Sequence, residues 1–165
     1  MNIKIRPYNT KDTQAILDIL NYNILHSTSL YDYKIRSYEQ QKSILEEKLS
    51  KGFPVIVAEY DGELAGFGMY SEFRFREAYQ FTAEHSVYVN ADFQGKGIGK
   101  IILQELIDLA RKQKIHTMIA VIDSENQNSV LFHEKFGFET VGIFKECGFK
   151  FDRWLNTVFM QLLLK

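Results

Sequence analysis

Ile3 and Ile5 alternate with Lys4 and Arg6 ahead of Pro7, the period-two pattern of a short strand, and the polar Asn9-Thr10 pair then offers a helix cap. From Thr10 the apolar residues Ile16, Leu17, Ile19, Leu20 and Ile24 recur at helical spacing, which predicts an amphipathic helix ending near Leu25. Ser27 to Arg36 is polar and Tyr-bearing and reads as loop. Ser37-Tyr38-Glu39-Gln40 then has the capping-box form, and Ile44, Leu45 and Leu49 give a second helix its apolar stripe until Gly52.

Val55 to Ala58 and Leu64 to Tyr70 flank Asp61-Gly62, a pair suited to the positive φ angles of a tight hairpin turn. Ala83 to Val89 places Glu84, Ser86 and Tyr88 on one face and His85, Val87 and Val89 on the other, as expected of a central strand. Past a glycine-rich turn, Ile101, Ile102, Leu106, Ile107, Leu109 and Ala110 make a strong helix, and Met118 to Ile122 a buried strand. That succession is a strand, turn, helix, strand unit of the parallel kind. Asn126 to Phe136 predicts a further helix ended by Gly137, and strands near Thr140 to Phe144 and Leu155 to Leu163 close the chain. The expectation is one α/β (α+β) domain over residues 1–165 with about seven strands and four helices.

Composition narrows the classes. With 45% hydrophobic and 25% charged residues and 2 prolines in 165, the chain has apolar mass for a core and lacks the bias of disordered sequences. Twenty basic against 21 acidic residues argue against a phosphate-backbone clamp, so nucleic acid is not an expected partner. One cysteine, Cys147, allows no internal disulfide and no zinc cluster, which fits a reducing compartment; it reads as a packed or free thiol rather than a nucleophile. No apolar run approaches the roughly 18 residues of a membrane span, and a cytoplasmic protein with no membrane partner is expected. The aromatic share, 14%, is high.

Gln94-Gly95-Lys96-Gly97-Ile98-Gly99 lies between the central strand and a helix. The turn is either an ordinary glycine turn or an anion site, its unpaired N–H groups, the helix dipole and Lys96 and Lys100 converging on a pyrophosphate. A Walker A loop fails because Gly99-Lys100 is followed by Ile101 and position 94 is Gln. The dinucleotide fingerprint fails because Ile102 stands where its third glycine would be.

Gln94, Gly97 and Gly99 do match Gln/Arg-x-x-Gly-x-Gly/Ala, and Asn126 opens a helix that runs to Phe136-Gly137-Phe138. On these two motifs the chain resembles the GNAT superfamily of N-acetyltransferases over its whole length. Ile5-Arg6-Pro7, His26-Ser27-Thr28, Arg76-Glu77-Ala78-Tyr79, Thr82 to Val89 with Glu84, Gly148-Phe149-Lys150, Trp154 and Phe159-Met160-Gln161 resemble its phosphinothricin N-acetyltransferase branch. The resemblance implies a mixed, mostly antiparallel sheet splayed at an acetyl-CoA site, a small amino-acid-like amine as acceptor, and a homodimer. It implies that backbone at Val87, Tyr88 and Val89 pairs with the pantetheine arm and that Gly95, Lys96, Gly97, Ile98, Gly99 and Lys100 hold the pyrophosphate. Asn126 and Ser129 then face the pantetheine or thioester.

Acetyl transfer needs a neutral amine, whereas a lysine-like amine of pKa about 10.4 is mostly protonated at neutral pH; the gap of about 3.4 pH units costs about 4.6 kcal/mol. A positioned base offsets much of this. Glu84, on the strand leading into the glycine loop, is the candidate, acting directly or through a water, and the branch resemblance places its catalytic Glu there too. His133 stands seven residues after Asn126, where the wider superfamily often carries a Tyr. It is either a proton donor or CoA contact for the leaving thiolate, or a residue that caps or packs its helix. His26, His85 and His116 are dispersed along the chain, and no metal site is expected. Arg74 and Arg76, within the aromatic stretch that includes Tyr79, are candidates to grip a substrate carboxylate in fork geometry. Lys150, Phe151 and Trp154 either close the same pocket or meet a second subunit. The rival readings are a protein or peptide N-acetyltransferase, a non-catalytic acyl-CoA sensor and a nucleotide-binding module.

Overall fold

Seven strands form one sheet in the computed structural model, which describes residues 2–165. In chain order the elements are β1 (Ile3–Pro7), α1 (Thr13–His26), α2 (Tyr38–Ser50), β2 (Val55–Tyr60), β3 (Glu63–Glu72), β4 (Thr82–Val89), α3 (Ile98–Lys112), β5 (Thr117–Asp123), α4 (Gln127–Glu134), β6 (Glu139–Lys150) and β7 (Arg153–Leu163). The sheet order is β1-β2-β3-β4-β5-β7-β6, antiparallel throughout except for the β4–β5 pair. This is the mixed, mostly antiparallel architecture with four helices that the resemblance implies.

Local chemistry sets most boundaries. Asp61 and Gly62 take φ of 48° and 94°, so the β2–β3 hairpin turns with a twist that matches its strands. Ser37 accepts from the Gln40 N–H while the Gln40 side chain accepts from the Ser37 N–H, closing the capping box at α2. Asn9 caps a short 3-10 turn, Thr10–Asp12, and α1 follows from Thr13, three residues later than the periodicity suggests. Asp12 closes the capping box of that turn, its carboxylate accepting from Asn9 N–H at 2.7 Å, and is gripped by both Nη atoms of Arg6 on β1, at 2.7 and 2.9 Å. β6 runs to Lys150, well past Phe144. Its alternation breaks at two register shifts, and Glu146 sits at φ 50°, which hides the second half of the strand from pattern reading.

Two apolar layers cover the sheet. Ile16, Ile19, Leu20 and Leu45 of α1 and α2 pack on Val55, Val57 and Phe67. On the opposite face Ile102, Leu103, Leu106 and Ile107 of α3, with Val130 of α4, pack on Ile56, Ala58, Met118 and Ala120. α3 comes close to β3 because Gly66 and Gly68 lie beneath it: a Cβ at Gly68 would stand 2.4 Å from Ile102 Cγ2.

One departure from regular pairing creates the site. β3 holds β4 from Ala83 to Val89, and β7 holds β5 from Thr117 to Asp123. β4 and β5 pair with each other only over Thr82–Glu84 and Thr117–Ile119. Beyond Glu84 each strand follows its other neighbour, and the sheet opens.

Candidate active site

The opening between β4 and β5 is a cavity of about 670 Å³. Both faces of β4 reach it, Glu84, Ser86 and Tyr88 from one side and His85, Val87 and Val89 from the other, because the split passes through the sheet. Among the described residues the β5-facing edge of β4 beyond Glu84 has no strand partner, so its backbone groups are available to an extended chain of amides.

At one end lies the glycine loop. Gly95 and Gly97 take left-handed φ of 76° and 78°, and Gly97 is the N-cap of α3 without a side-chain cap. The first backbone bond of α3 is Ile101 N–H to the Gly97 carbonyl at 3.3 Å, and among the described residues no backbone acceptor meets the N–H groups from Gly95 to Lys100. Gly99 faces the cavity; a Cβ there would make ordinary contact with Val89 and Phe132, at 3.6 and 3.8 Å. Uncapped donors at a helix N-terminus suit an anion.

At the other side stands α4. Asn126 caps it, its Oδ1 accepting from Ser129 N–H at 3.1 Å, which leaves the side-chain amide free to donate. His133 and Ser129 face the cavity from the same helix. His133 Nδ1 lies 2.7 Å from the Ser129 carbonyl and its Nε2 lies 3.2 Å from Nε2 of His85, so both ring nitrogens are engaged. Burial pushes both imidazoles below the ordinary His value, His85 to about 3. The residue that sequence reading set aside as dispersed is thus the partner of the one it selected.

Glu84 occupies the point where the strands part. Burial raises its carboxyl above the ordinary value, opposed by the positive charge of Lys48 on α2. The third wall is a strap, residues 27–37, of which Thr28, Ser29, Leu30 and Tyr31 line the cavity. Thr28 Oγ1 donates to the buried Asp123 carboxylate, the Tyr31 hydroxyl pairs with Thr157 Oγ1 at 2.7 Å, and the Tyr33 hydroxyl donates to the Phe149 carbonyl.

A model of the acetyltransferase (GNAT) family matches residues 20–138. The chain belongs to that family. As a GNAT member it is an acetyl-CoA-dependent N-acetyltransferase. It is 36% identical over 160 residues to an L-methionine sulfoximine/L-methionine sulfone acetyltransferase of Salmonella typhimurium, covering 97% of this chain and 94% of that one. Against the phosphinothricin N-acetyltransferase of Alcaligenes faecalis the identity is 34%, over 95% of this chain and 80% of the relative. Its fold superposes on Salmonella typhimurium yncA, solved with its cofactor acetyl-CoA, at a TM-score of 0.97, with 35% identity over 100% of this chain and 95% of the other.

Against that GNAT frame the remaining candidates fall into two groups. Glu84, Val87, Tyr88, Val89, Gly95, Gly99, Asn126, Ser129 and His133 line the cavity. Lys96, Gly97, Ile98 and Lys100 do not: the Ile98 side chain is in the core, and the Lys96 ammonium sits over the rings of Tyr60 and Phe93, at 4.6 and 4.8 Å from their centroids. Arg74, Arg76, Tyr79 and Trp154 are exposed outside the cavity, with Arg74 stacked on Phe73. Lys150 is buried and donates to the carbonyls of Ser27 and Leu30, at 2.8 and 2.6 Å, so it pins the strap from behind. Cys147 Sγ lies 3.1 Å from Thr157 Oγ1. Among the described residues no group of three metal-ligating side chains forms, and no helix is long and apolar enough to cross a membrane. Sequence reading missed His85, Tyr31, Asp123 and Lys48; the alternation of β4 places His85 on the α3 face, but nothing local announces its partner.

Proposed function

We propose that this chain transfers the acetyl group of acetyl-CoA to the amino group of a small amino-acid-like substrate of the methionine sulfone, methionine sulfoximine or phosphinothricin type, with Glu84 as general base. The carrying observation is the place of Glu84, in the cavity wall where β4 parts from β5, with a carboxyl whose affinity for protons is raised by burial. A base whose pKa moves toward the working pH accepts a proton more effectively. The names of the relatives support the substrate class.

The residues fit acetyl-CoA. The open edge at Val87, Tyr88 and Val89 accepts the amides of the pantetheine arm as an added strand. The N–H groups from Gly95 through Lys96, Gly97, Ile98 and Gly99 to Lys100 receive the pyrophosphate, Lys96 and Lys100 contributing through their backbone and long-range charge. Asn126 Nδ2 and the Ser129 hydroxyl face the thioester end. In the reaction the amine nitrogen bonds to the acetyl carbon, Glu84 takes the proton this nitrogen loses, and the C–S bond breaks with its electron pair on sulfur.

The cavity carries two carboxylates, Glu84 and Asp123, and among the described residues no Lys or Arg lines it. A substrate carboxylate therefore needs a cation from elsewhere. The exposed Arg74 and Arg76, with Tyr79 and Trp154, are the candidates for it if the chain forms the homodimer that the resemblance implies, where a guanidinium fork could grip the amine's carboxylate. Lys150 serves the substrate through the strap it holds. The free thiol of Cys147 fits a reducing compartment and supports a cytoplasmic setting as part of this reading. Light scattering coupled to gel filtration tests the dimer.

The test of function follows CoA release with acetyl-CoA and a panel of methionine sulfone, methionine sulfoximine, phosphinothricin and short peptides. Turnover of the small amines, lost in Glu84→Gln, is expected. Peptide acetylation without small-amine turnover moves the reading to a protein acetyltransferase, and undiminished turnover in Glu84→Gln removes the assigned base.

A further inference from the structure

His85 and His133 come from opposite walls of the same cavity, β4 and α4, and their rings stack at 5.0 Å between centroids. Phe138 stands edge-on to both, at 5.5 and 5.2 Å, and Phe132 edge-on to His133. The hydrogen-bond partners order the protons. A carbonyl oxygen only accepts, so the 2.7 Å contact with Ser129 O puts a proton on His133 Nδ1. A neutral His133 then presents a bare lone pair at Nε2, and His85 must donate its own Nε2–H across the 3.2 Å contact. His85 Nδ1 is left without a proton, and it is the ring nitrogen that is buried with no partner among the described residues. The reverse tautomer of His85 would bury an unanswered N–H there and set two lone pairs against each other, which costs more.

An extra proton has nowhere to go. On His85 it would create a buried donor at Nδ1 without an acceptor; on His133 it would set two N–H groups head to head. Among the described residues no carboxylate bonds to either ring: the partners are the Ser129 carbonyl and the other imidazole, burial disfavours the charged form of both, and a proton on one ring would repel a proton on the other. Of the acids on the same cavity, Asp123 is engaged by Thr28 and the Glu125 N–H, and Glu84 points to the other face of β4.

We infer that His85 and His133 form one neutral, proton-ordered pair in which His85 is a positioning residue, acting through His133 on Ser129 and Asn126, and that His133 holds no proton for the leaving thiolate. The chain of donors runs from His85 Nε2–H to His133, from His133 Nδ1–H to the Ser129 carbonyl, and from Ser129 N–H to Asn126 Oδ1 at 3.1 Å. It fixes the first turn of α4 and so aims the free amide of Asn126. The effect on turnover rests on the placement of acetyl-CoA proposed above; the proton order does not.

Long-range ¹H–¹⁵N correlation spectra of the ¹⁵N-labelled, ligand-free protein read ring tautomers directly. The expected result is His85 protonated at Nε2, His133 at Nδ1, and no titration of either from pH 8 to about pH 5.5. A proton on His133 Nε2, or titration of His133 near its ordinary value, overturns the inference. In kinetics, His85→Leu should raise KM for acetyl-CoA about tenfold with kcat changed less than about threefold, and His85→Gln, which keeps a donor, should restore KM. His133→Gln losing about a hundredfold or more in kcat, with a changed alkaline limb of the pH profile, would make it the acid and overturn the inference. Should His85→Leu not fold, the spectra of the parent protein decide alone. Ordered tautomers in a protein that transfers no acetyl group would instead remove the functional reading and leave the pair standing.

Discussion

Tyr31 packs on Gly148 so closely that a methyl group at position 148 would stand 2.6 Å from its Cε2 and 3.2 Å from its Cζ. The ring belongs to the strap that walls the cavity, and its hydroxyl is held by Thr157. A rigid ring cannot swing aside as a flexible chain end can, so Gly148→Ala has to displace the strap. The expected cost is about 1–3 kcal/mol of stability with a raised KM for the amine. Thermal melts and steady-state kinetics check it, and an unchanged KM would mean that Tyr31 does not shape the acceptor side.

Lys150 fastens the same strap. Its replacement by Met leaves the Ser27 and Leu30 carbonyls without their donor while keeping most of the side-chain volume. A loss of about 1–3 kcal/mol is expected. Hydrogen exchange in residues 27–33 should accelerate while exchange in α3 stays slow; uniform acceleration would point to global destabilisation instead.

Glu84→Gln should lower kcat/KM by about a hundredfold to ten-thousandfold. It should also stabilise the protein. Because the folded-state carboxyl is raised, the folded protein binds its proton more tightly than the unfolded chain does. Stability is therefore lost as pH rises from the ordinary carboxylate value through the raised one, and the loss is complete above it. The gain in melting temperature should be larger at pH 8 than at pH 4, and an equal gain at both would argue against a strained carboxylate.

His85 titrates with the opposite sign. Its folded value is depressed to about 3, so below the ordinary His value the unfolded chain binds more protons, and stability falls as pH falls from about 6.5. By linkage, about 2 kcal/mol should disappear between pH 6.5 and pH 5. Denaturant titrations of the parent and of His85→Leu isolate this contribution, which should be missing from the variant's slope.

Gly68→Ala probes the seat of α3. The new methyl would lie 2.4 Å from Ile102 Cγ2 and 2.9 Å from Leu106 Cδ1, forcing the helix outward. A loss of about 1–3 kcal/mol is expected, and KM for acetyl-CoA should rise because the same helix begins at the glycine loop. A destabilised variant with normal KM would separate the seat of the helix from the loop.

The parts of this site that pattern reading reaches are those whose physics is local. The turn at Asp61-Gly62, the Ser37 cap, the alternation of β4 and the uncapped glycine start of α3 each depend on residues within a few positions of one another. Lys96 and Lys150 show where that ends. Both are cations beside a phosphate-like loop or a candidate pocket in sequence, yet one sits on Tyr60 and Phe93 and the other binds two carbonyls more than 100 positions away. A long flexible side chain takes its partner from whatever the fold brings near.

By itself the sequence determined the elements, the glycine loop with its run of unpaired donors, and the resemblance that the family match bears out. It also placed Glu84 and His85 on opposite faces of one strand, since a strand's side chains alternate regardless of surroundings. Tertiary structure decided that β4 and β5 part beyond Glu84, because each is held by a different outer strand. It also decided that His133 meets His85 across that gap, and that the cavity between them draws its third wall from a strap pinned by Lys150. Pairing across a gap depends on where two distant backbones come to rest, and no local pattern carries that distance.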